Sequence, residues 1–495
     1  MNDLAAGVFK PALSEQDINA GFVPLLGDLA TVPADYLSEV AQTKRGLERW
    51  VSDANFRAAY EDDPVAALAG AKIDLIPDQM TPLIQREAAL RLNEAINAGE
   101  TDTYPTSVLR YRAFIREKIR HRREHRLDNQ PRHPRMAKWW RRQVYRLAGQ
   151  LGSQKADRIV HAPAAFELSK GCSVHCWFCA LRAEHLKANW EYGPETSRQW
   201  REILTLMQEL LGPALRQGFC YWATEPLDNP DYERFLGDFH AVLGGCPQTT
   251  TARPTADIER TRRLLRLTYG YGVNIDRFSI LSLGVFNRVH EAFSAEELLR
   301  VELLPQNPDA DERHKKALVG RAQDHAQQRA RELNAESASS TTACLSGFLL
   351  NMVEHRVELI TPCPASARWP LGFWVIDAAT FSSPADLDAI MRRMIAEHMP
   401  SDLPLLEPVR LRPDLRVRVI DDTSLKLQSR LTLTISSQPC ARQLADLLAN
   451  GDCSPAEIAE RREQEADVPQ AETLYLLQDL FDKGIFDEEP RPAAE

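Results

Sequence analysis

The sequence predicts an α/β protein built on a partial (β/α)6 barrel, with a helical region before it and a small domain of strands and helices after it. Three observations carry that expectation. Short apolar runs alternate with helix-period stretches through the middle of the chain, the pattern of strand-helix-strand units in a parallel sheet. A loop bearing three cysteines follows the first of those runs, and such barrels place their chemistry at the C-terminal ends of their strands. Beyond residue 405 the pattern changes to strands leading into three short helices.

Taken in order, residues 1–150 read as helical. Asp63-Pro64 marks a helix start, because an Asp cap and a Pro at the first helical position both suit the unpaired amides there. Residues 56–68 resemble leader segments of ribosomal peptide precursors, with an ordinary helical hairpin the better reading. Residues 110–146 are strongly basic: Arg112, Arg116, Lys118, Arg120, Arg122 and Arg123 face only Glu117, Glu124 and Asp128 as acids. Such a run reads first as a solvated helix face and second as a seat for an acidic peptide.

The barrel is expected over 151–405. Stretches 164–169, 219–223, 249–253, 277–283, 301–304 and 357–361 are its candidate strands. Between the fifth and sixth, 309–333 reads as a polar helix followed by Ser337, Ser339, Ser340, Thr341 and Thr342, an exposed excursion with a flexible end. Over 406–495, strands at 415–420 and 431–435 lead into helices at 441–449, 455–464 and 472–483.

Bulk properties bound the function. At 495 residues the chain can hold about three domains and a sizeable core. A net charge of −10 argues against a nucleic-acid partner. No apolar stretch reaches the roughly 18 to 20 residues of a membrane span, so no membrane partner is expected. Nine cysteines without a signal-peptide pattern point to a reducing, cytoplasmic setting.

The central motif is Glu167-Leu168-Ser169-Lys170-Gly171-Cys172-Ser173-Val174-His175-Cys176-Trp177-Phe178-Cys179. Three thiolates spaced C-x3-C-x2-C on one loop can each hold a corner iron of a 4Fe-4S cube and leave the fourth iron open. Two other uses stand beside this one. With His175 the cysteines could form a Cys3His zinc site in a structural or interaction protein, although four ligands on one tight loop reach a tetrahedron with difficulty. They could also be structural, but an odd cysteine count leaves one without a disulfide partner.

This spacing, with Phe178 just before the last cysteine, resembles the radical S-adenosylmethionine (SAM) superfamily. The resemblance implies a 4Fe-4S cluster on Cys172, Cys176 and Cys179, SAM on the open iron, and an electron donor of the flavodoxin or ferredoxin type. In the superfamily a Gly-Gly-Glu-Pro-like turn after the second strand binds the methionine amino group. Here Ala223-Thr224-Glu225 stands in its place, and Glu225 offers the carboxylate. Phe178, Thr251 and Arg253 in the third strand, and Ser279 and Ser282 in the fourth, are the further cofactor contacts it implies.

Cys344-Leu345-Ser346-Gly347-Phe348 and Thr361-Pro362-Cys363-Pro364-Ala365-Ser366-Ala367-Arg368-Trp369-Pro370-Leu371-Gly372 narrow the resemblance to radical SAM amino-acid epimerases that mature proteusin-type peptides, over roughly 150–490. This implies inversion of selected L residues to D within a leader-bearing precursor peptide. The C-terminal region resembles the winged-helix-like domains with which such maturases take a leader as an added edge strand, a plain helical cap being the other reading. Outside the loop no C-x2-C pair exists among Cys220, Cys246, Cys344, Cys363, Cys440 and Cys453, so a second cluster is not expected. Epimerisation then needs a hydrogen atom from the opposite face, which a thiol can supply. Cys363, directly after the sixth strand and hence expected at the active rim, is the first candidate catalytic residue and Cys344 the second; a small buried residue is the other reading of each. A peptide cross-linker or methyltransferase is the alternative outcome.

Overall fold

Asp63 acts as its place before Pro64 predicts: its carboxylate accepts from the Val65 and Ala66 amides and starts the helix Pro64–Gly70, which follows Ala54–Asp62 as a helical hairpin. The structure is a computed structural model, and it describes residues 21–272, 275–307, 310, 319–322 and 341–490, without the side chains of 125–128. It is a mixed α/β protein. Its strands are β1 Ala162–Glu167, β2 Ser169–Lys170, β3 Ala188–Asn189, β4 Thr250–Thr251, β5 Asp276–Ile280, β6 Val301–Pro305, β7 Leu345–Asn351, β8 Arg356–Pro362, β9 Phe373–Thr380, β10 Arg416–Asp421, β11 Ser424–Gln428 and β12 Thr432–Ile435. The chain divides into two compact units whose pieces interleave: Met1–Leu127 with Glu225–Leu227 and Gly245–Lys316, and Asp128–Thr224 with Asp228–Gly244 and Ala317–Glu495.

In the first unit β4, β5 and β6 form a parallel sheet, where the third, fourth and fifth strands were expected. Alternate residues of β5 face opposite ways. Phe278 and Ile280 join Phe286, Val289 and Val301 in an apolar core that Leu265 completes. Arg277 instead meets Glu302 at 3.1 Å and Gln248 at 3.1 Å. Glu302 also receives Lys118 at 2.9 Å and Arg122 at 3.6 Å from the helix Thr106–Asp128. That corrects the solvated-face reading of the basic run in part: Lys118 is tied to a strand carboxylate.

In the second unit the sheet order is β1-β7-β8-β9. Every residue of β1 is buried, and Trp200 of the helix Pro194–Leu211 sits edge-on to Phe166 at 4.8 Å. Two expectations need correction here. The second expected strand, 219–223, is only a parallel bridge between Phe219 and Ala165, because beyond it the Ala223 amide turns to the Glu167 carboxylate instead of continuing a ladder. The sixth, 357–361, is β8, but it runs antiparallel to β7, so it is not the sixth strand of a parallel barrel. The strand beside β1 in parallel is β7, which carries no alternation to betray it, since six of its seven residues are buried.

The excursion expected to be exposed is buried or half-buried where it is described. Val319, Gly320 and Ala322 are buried, and the hydroxyls of Thr341 and Thr342 donate to the Gly372 and Leu371 carbonyls. Most of 309–333, with Ser337, Ser339 and Ser340, lies outside the described residues. On the helix Pro134–Leu151, Arg142 and Arg146 of the basic run are fully buried, a further departure from a solvated face. The C-terminal strands are three instead of two: β10, β11 and β12 form an antiparallel meander, followed by helices Ala441–Asn450, Pro455–Ala466 and Gln470–Asp482 around Leu425, Leu427, Leu444, Ile458 and Leu477.

Candidate metal centre

β1 ends at Glu167, and the short β2/β3 pair closes the loop that carries the cysteines. Lys187 N donates to Lys170 O at 2.8 Å and Trp190 N to Leu168 O at 2.9 Å, so the loop's two stems are fixed to each other. Gly171 opens it at φ +82, where a Cβ would stand 2.2 Å from the His185 carbonyl oxygen. Cys172 N then donates to Glu184 O at 2.9 Å. Asp228 accepts from Ser173 N at 2.7 Å and from its hydroxyl at 2.5 Å, which fixes the chain beside Cys172. Asn229, buried, donates to both Leu168 O and Trp190 O.

The three cysteines are half-buried. Ala183 N donates to the Cys179 sulfur at 3.4 Å, which ties that side chain to the far stem of the loop. His175 stacks on His185 at 3.9 Å between ring centres. Phe178 is half-buried and lies edge-on to the exposed Trp177 at 5.3 Å.

The donor set of the loop is three sulfurs, the soft ligands that iron-sulfur clusters take. Among the described residues, the one group of three donors drawn within 4.8 Å of one another is Asp377, Glu397 and His398, and it does not include the cysteine loop. That acidic group also holds Arg393, which pairs with Asp377 at 2.9 Å and Glu397 at 2.6 Å, so a cation's place there is already taken by a guanidinium. No disulfide joins any of the nine cysteines. Three half-buried soft donors on one loop, none of them in a disulfide, fit an iron-sulfur cluster.

In the other unit, Glu225 is 3 % exposed and binds its own surroundings. It accepts from the Thr251 hydroxyl at 2.5 Å, from Ala252 N at 2.8 Å and from Leu227 N at 3.2 Å. A carboxylate has about four acceptor sites, of which two hold the end of β4 and a third holds its own turn at Leu227. Arg253 N donates to the Thr251 hydroxyl at 3.0 Å, which brings Glu225, Thr251 and Arg253 together. Ser279 is half-buried on β5. Ser282 lies beyond that strand, not within it, and its hydroxyl caps the helix Leu283–Ala292 by accepting from Val285 N. Ala223 and Thr224 are half-buried, and the Ala223 amide is held by Glu167 at 2.9 Å.

The two thiols expected at the rim need correction. Because β8 is antiparallel to β7, its C-terminal end at Pro362 lies level with the start of β1. Cys363 follows it, and Cys344 O accepts from Ala162 N at that same end. The cysteine loop leaves from the opposite end of β1, five residue steps or roughly 17 Å along the strand. Cys363 is 2 % exposed, and burial pushes its thiol up to about 12 against the pull of Arg146. Arg146 itself lies over Trp374 at 3.8 Å and donates to Gln143, Gln150 and Pro362 O. Sequence reasoning passed over Glu167, Asp228 and Asn229 as active parts of the site. The first lay in the cysteine motif and the others directly after Glu225, so chain proximity was the available signal.

No protein-family model matches the chain. It is 36% identical over 461 residues to the uncharacterized protein y4wI of Sinorhizobium fredii, covering 91% of this chain and 88% of the relative. The chain belongs to the family of that protein. Among solved structures, the crystal structure of BtrN in complex with AdoMet and 2-DOIA is similar with a TM-score of 0.25 and 15% identity, over 40% of this chain and 72% of that one. A likeness so slight carries no argument here.

Proposed function

We propose that the protein is a radical SAM enzyme that acts on a leader-bearing, ribosomally made precursor peptide and inverts chosen L residues to D. The observation that supports the class is the cysteine loop, which brings three half-buried soft donors at C-x3-C-x2-C spacing onto one short segment with both stems fixed. Cys172, Cys176 and Cys179 would hold the 4Fe-4S cluster. Phe178, Ala223, Thr224, Glu225, Thr251, Arg253, Ser279 and Ser282 are the proposed SAM contacts. When bound, cluster and SAM supply a carbon radical able to remove a peptide α-hydrogen. The chain's own residues hold the loop through Glu184 and Asp228, and the β4 end through Glu225.

The proposed architecture is a partial barrel drawing on β1, the Phe219 bridge and β4 to β6, with 406–495 as a winged-helix-like recognition domain. In support, β12 has no strand on its outer side among the described residues, and an extended leader can add there. An open hollow of about 460 Å³ lined by Gln438, Ala471, Glu472, Tyr475, Leu476 and Asp479 lies in the same domain. The proposed electron donor is a flavodoxin or ferredoxin.

One observation favours a second outcome. Cys344 and Cys363 sit at the far end of β1 from the start of the loop, and cross-linking or methylation needs no thiol donor. The test is anaerobic reconstitution followed by reaction with a leader-bearing peptide. Iron-sulfur absorbance and deoxyadenosine should form, and Cys172→Ala, Cys176→Ala or Cys179→Ala should lose both. A peptide of unchanged mass containing D residues supports inversion, and a changed mass supports the second outcome. Absence of iron and of deoxyadenosine in the parent protein would sink the class.

A further inference from the structure

A second piece of chain is closed over the cysteine loop. Gly320 lies at φ +61, where a Cβ would stand 2.2 Å from the Ala180 carbonyl oxygen and 2.8 Å from that of Cys179. Only glycine lets the two backbones approach so closely. The next residue, Arg321, donates its backbone N–H to Cys179 O at 3.0 Å and its Nη1 to Cys176 O at 3.0 Å. Its other terminal nitrogen reaches Ala183 O. One residue thus takes three carbonyls along 176–183, the stretch that carries two of the three thiols. Two of these bonds come from a charged donor, which makes them stronger than neutral ones. Buried Val319 and Ala322 flank the pair and fix it in place.

We infer that Gly320 and Arg321 form a clamp that keeps Cys176 and Cys179 in ligand position and sets a fixed positive charge beside the cluster they would hold. Arg321 is a positioning residue: it touches the loop's backbone, not the reacting atoms. The inference rests on the cluster reading proposed above. Its physical content is twofold. Without the fork of donors, the 176–183 stretch loses its cross-chain ties and opens more often. Without the charge, the reduced and more negative cluster is less stabilised, because net charge and hydrogen bonding set iron-sulfur potentials.

The test uses the full chain in two arms, with Arg321→Gln and Arg321→Lys. In metal-free protein, iodoacetamide labelling read by peptide mass should be roughly tenfold faster at Cys176 and Cys179 in Arg321→Gln, the scale of a lost charge-assisted hydrogen bond, and unchanged at buried Cys363. Arg321→Lys, with a single ammonium in place of the fork, should fall between. After anaerobic reconstitution, Arg321→Gln should retain less iron through gel filtration and show a lower midpoint potential by electron paramagnetic resonance, with the potential restored in Arg321→Lys. Parent-like labelling, iron retention and potential in Arg321→Gln would overturn the clamp. Should that variant not fold, Arg321→Lys with native circular dichroism carries the labelling comparison, and parent-like labelling there would overturn the clamp. If neither parent nor variant takes up iron, the cluster reading and the charge effect fall together, while labelling still decides the clamp.

Discussion

Glu167 combines three roles in one carboxylate: it ends β1, holds the Ala223 amide at 2.9 Å and accepts Asn351 Nδ2 at 2.9 Å. Burial pushes its carboxyl up to about 7, against the opposing pull of those two donors. A carboxyl with a raised folded pKa binds more protons folded than unfolded between its two values. Its stabilising contribution is therefore fully present below about pH 4.5 and is lost as pH rises through about 7. Glu167→Gln keeps an acceptor for Ala223 but cannot ionise. Urea unfolding at pH 5 and pH 8 should show the variant gaining on the parent at the higher pH, by about 3 kcal/mol at most. Equal pH dependence in the two proteins would show that Glu167 ionises freely in the fold. At this scale the spacing of the three cysteines and the capping role of Asp63 were legible in sequence, since each works through near neighbours, whereas the bond from Thr251 to Glu225 joins residues 26 apart and was not. Arg321 was not, because nothing local distinguishes an arginine that folds back onto Cys176 from one in water.

The elements show where periodicity informs and where it fails. β5 alternates core and polar residues, and its start was found to within a residue although it ends at Ile280 and not at 283; β6 and the three C-terminal helices were found within two residues at each end. β7 is buried on both faces, and its Ser346 and Gly347 break the apolar run that would have marked it. β8 was legible as a strand but not in direction, because strand direction depends on the partner and only the partner's position reveals it. That direction is what moved Cys363 away from the expected rim. The central place of β7 has a measurable consequence. Phe348 is fully buried there, so Phe348→Ala should lower stability by about 3 to 5 kcal/mol. Ile420 on β10 is 47 % exposed, and Ile420→Ala should stay within about 0.5 kcal/mol. Denaturation of both variants checks the contrast, and a mild effect at Phe348 would remove β7 from the core.

For the whole molecule, the proposed function separates chemistry from recognition. Among the described residues no helix is long and apolar enough to cross a membrane. Tyr475, 80 % exposed on the helix Gln470–Asp482, lines the hollow beside Gln438 and is the aromatic best placed to meet a leader. Tyr475→Ala should leave thermal stability unchanged and weaken binding of the leader-bearing peptide roughly tenfold, as loss of an interface aromatic does. Deoxyadenosine formation without peptide should be unaffected. Equal peptide affinity in calorimetric titration would shift recognition away from this hollow. The C-terminal strands and helices could be read from sequence because their core is local, whereas the division of the chain into two units of interleaved segments could not.

The pairing of β1 with β7 also sets an order of events during synthesis. β1 and the three cysteines leave the ribosome long before the clamp residues and β7 exist, so the loop's support arrives late in translation. Until then β1 lacks its parallel neighbour, and distant contacts of this kind form slowly. On the proposed cluster reading, metal acquisition would be coupled to completion of the downstream chain. Nascent chains stalled ahead of Val319 should release iron to a mild chelator that the finished protein resists.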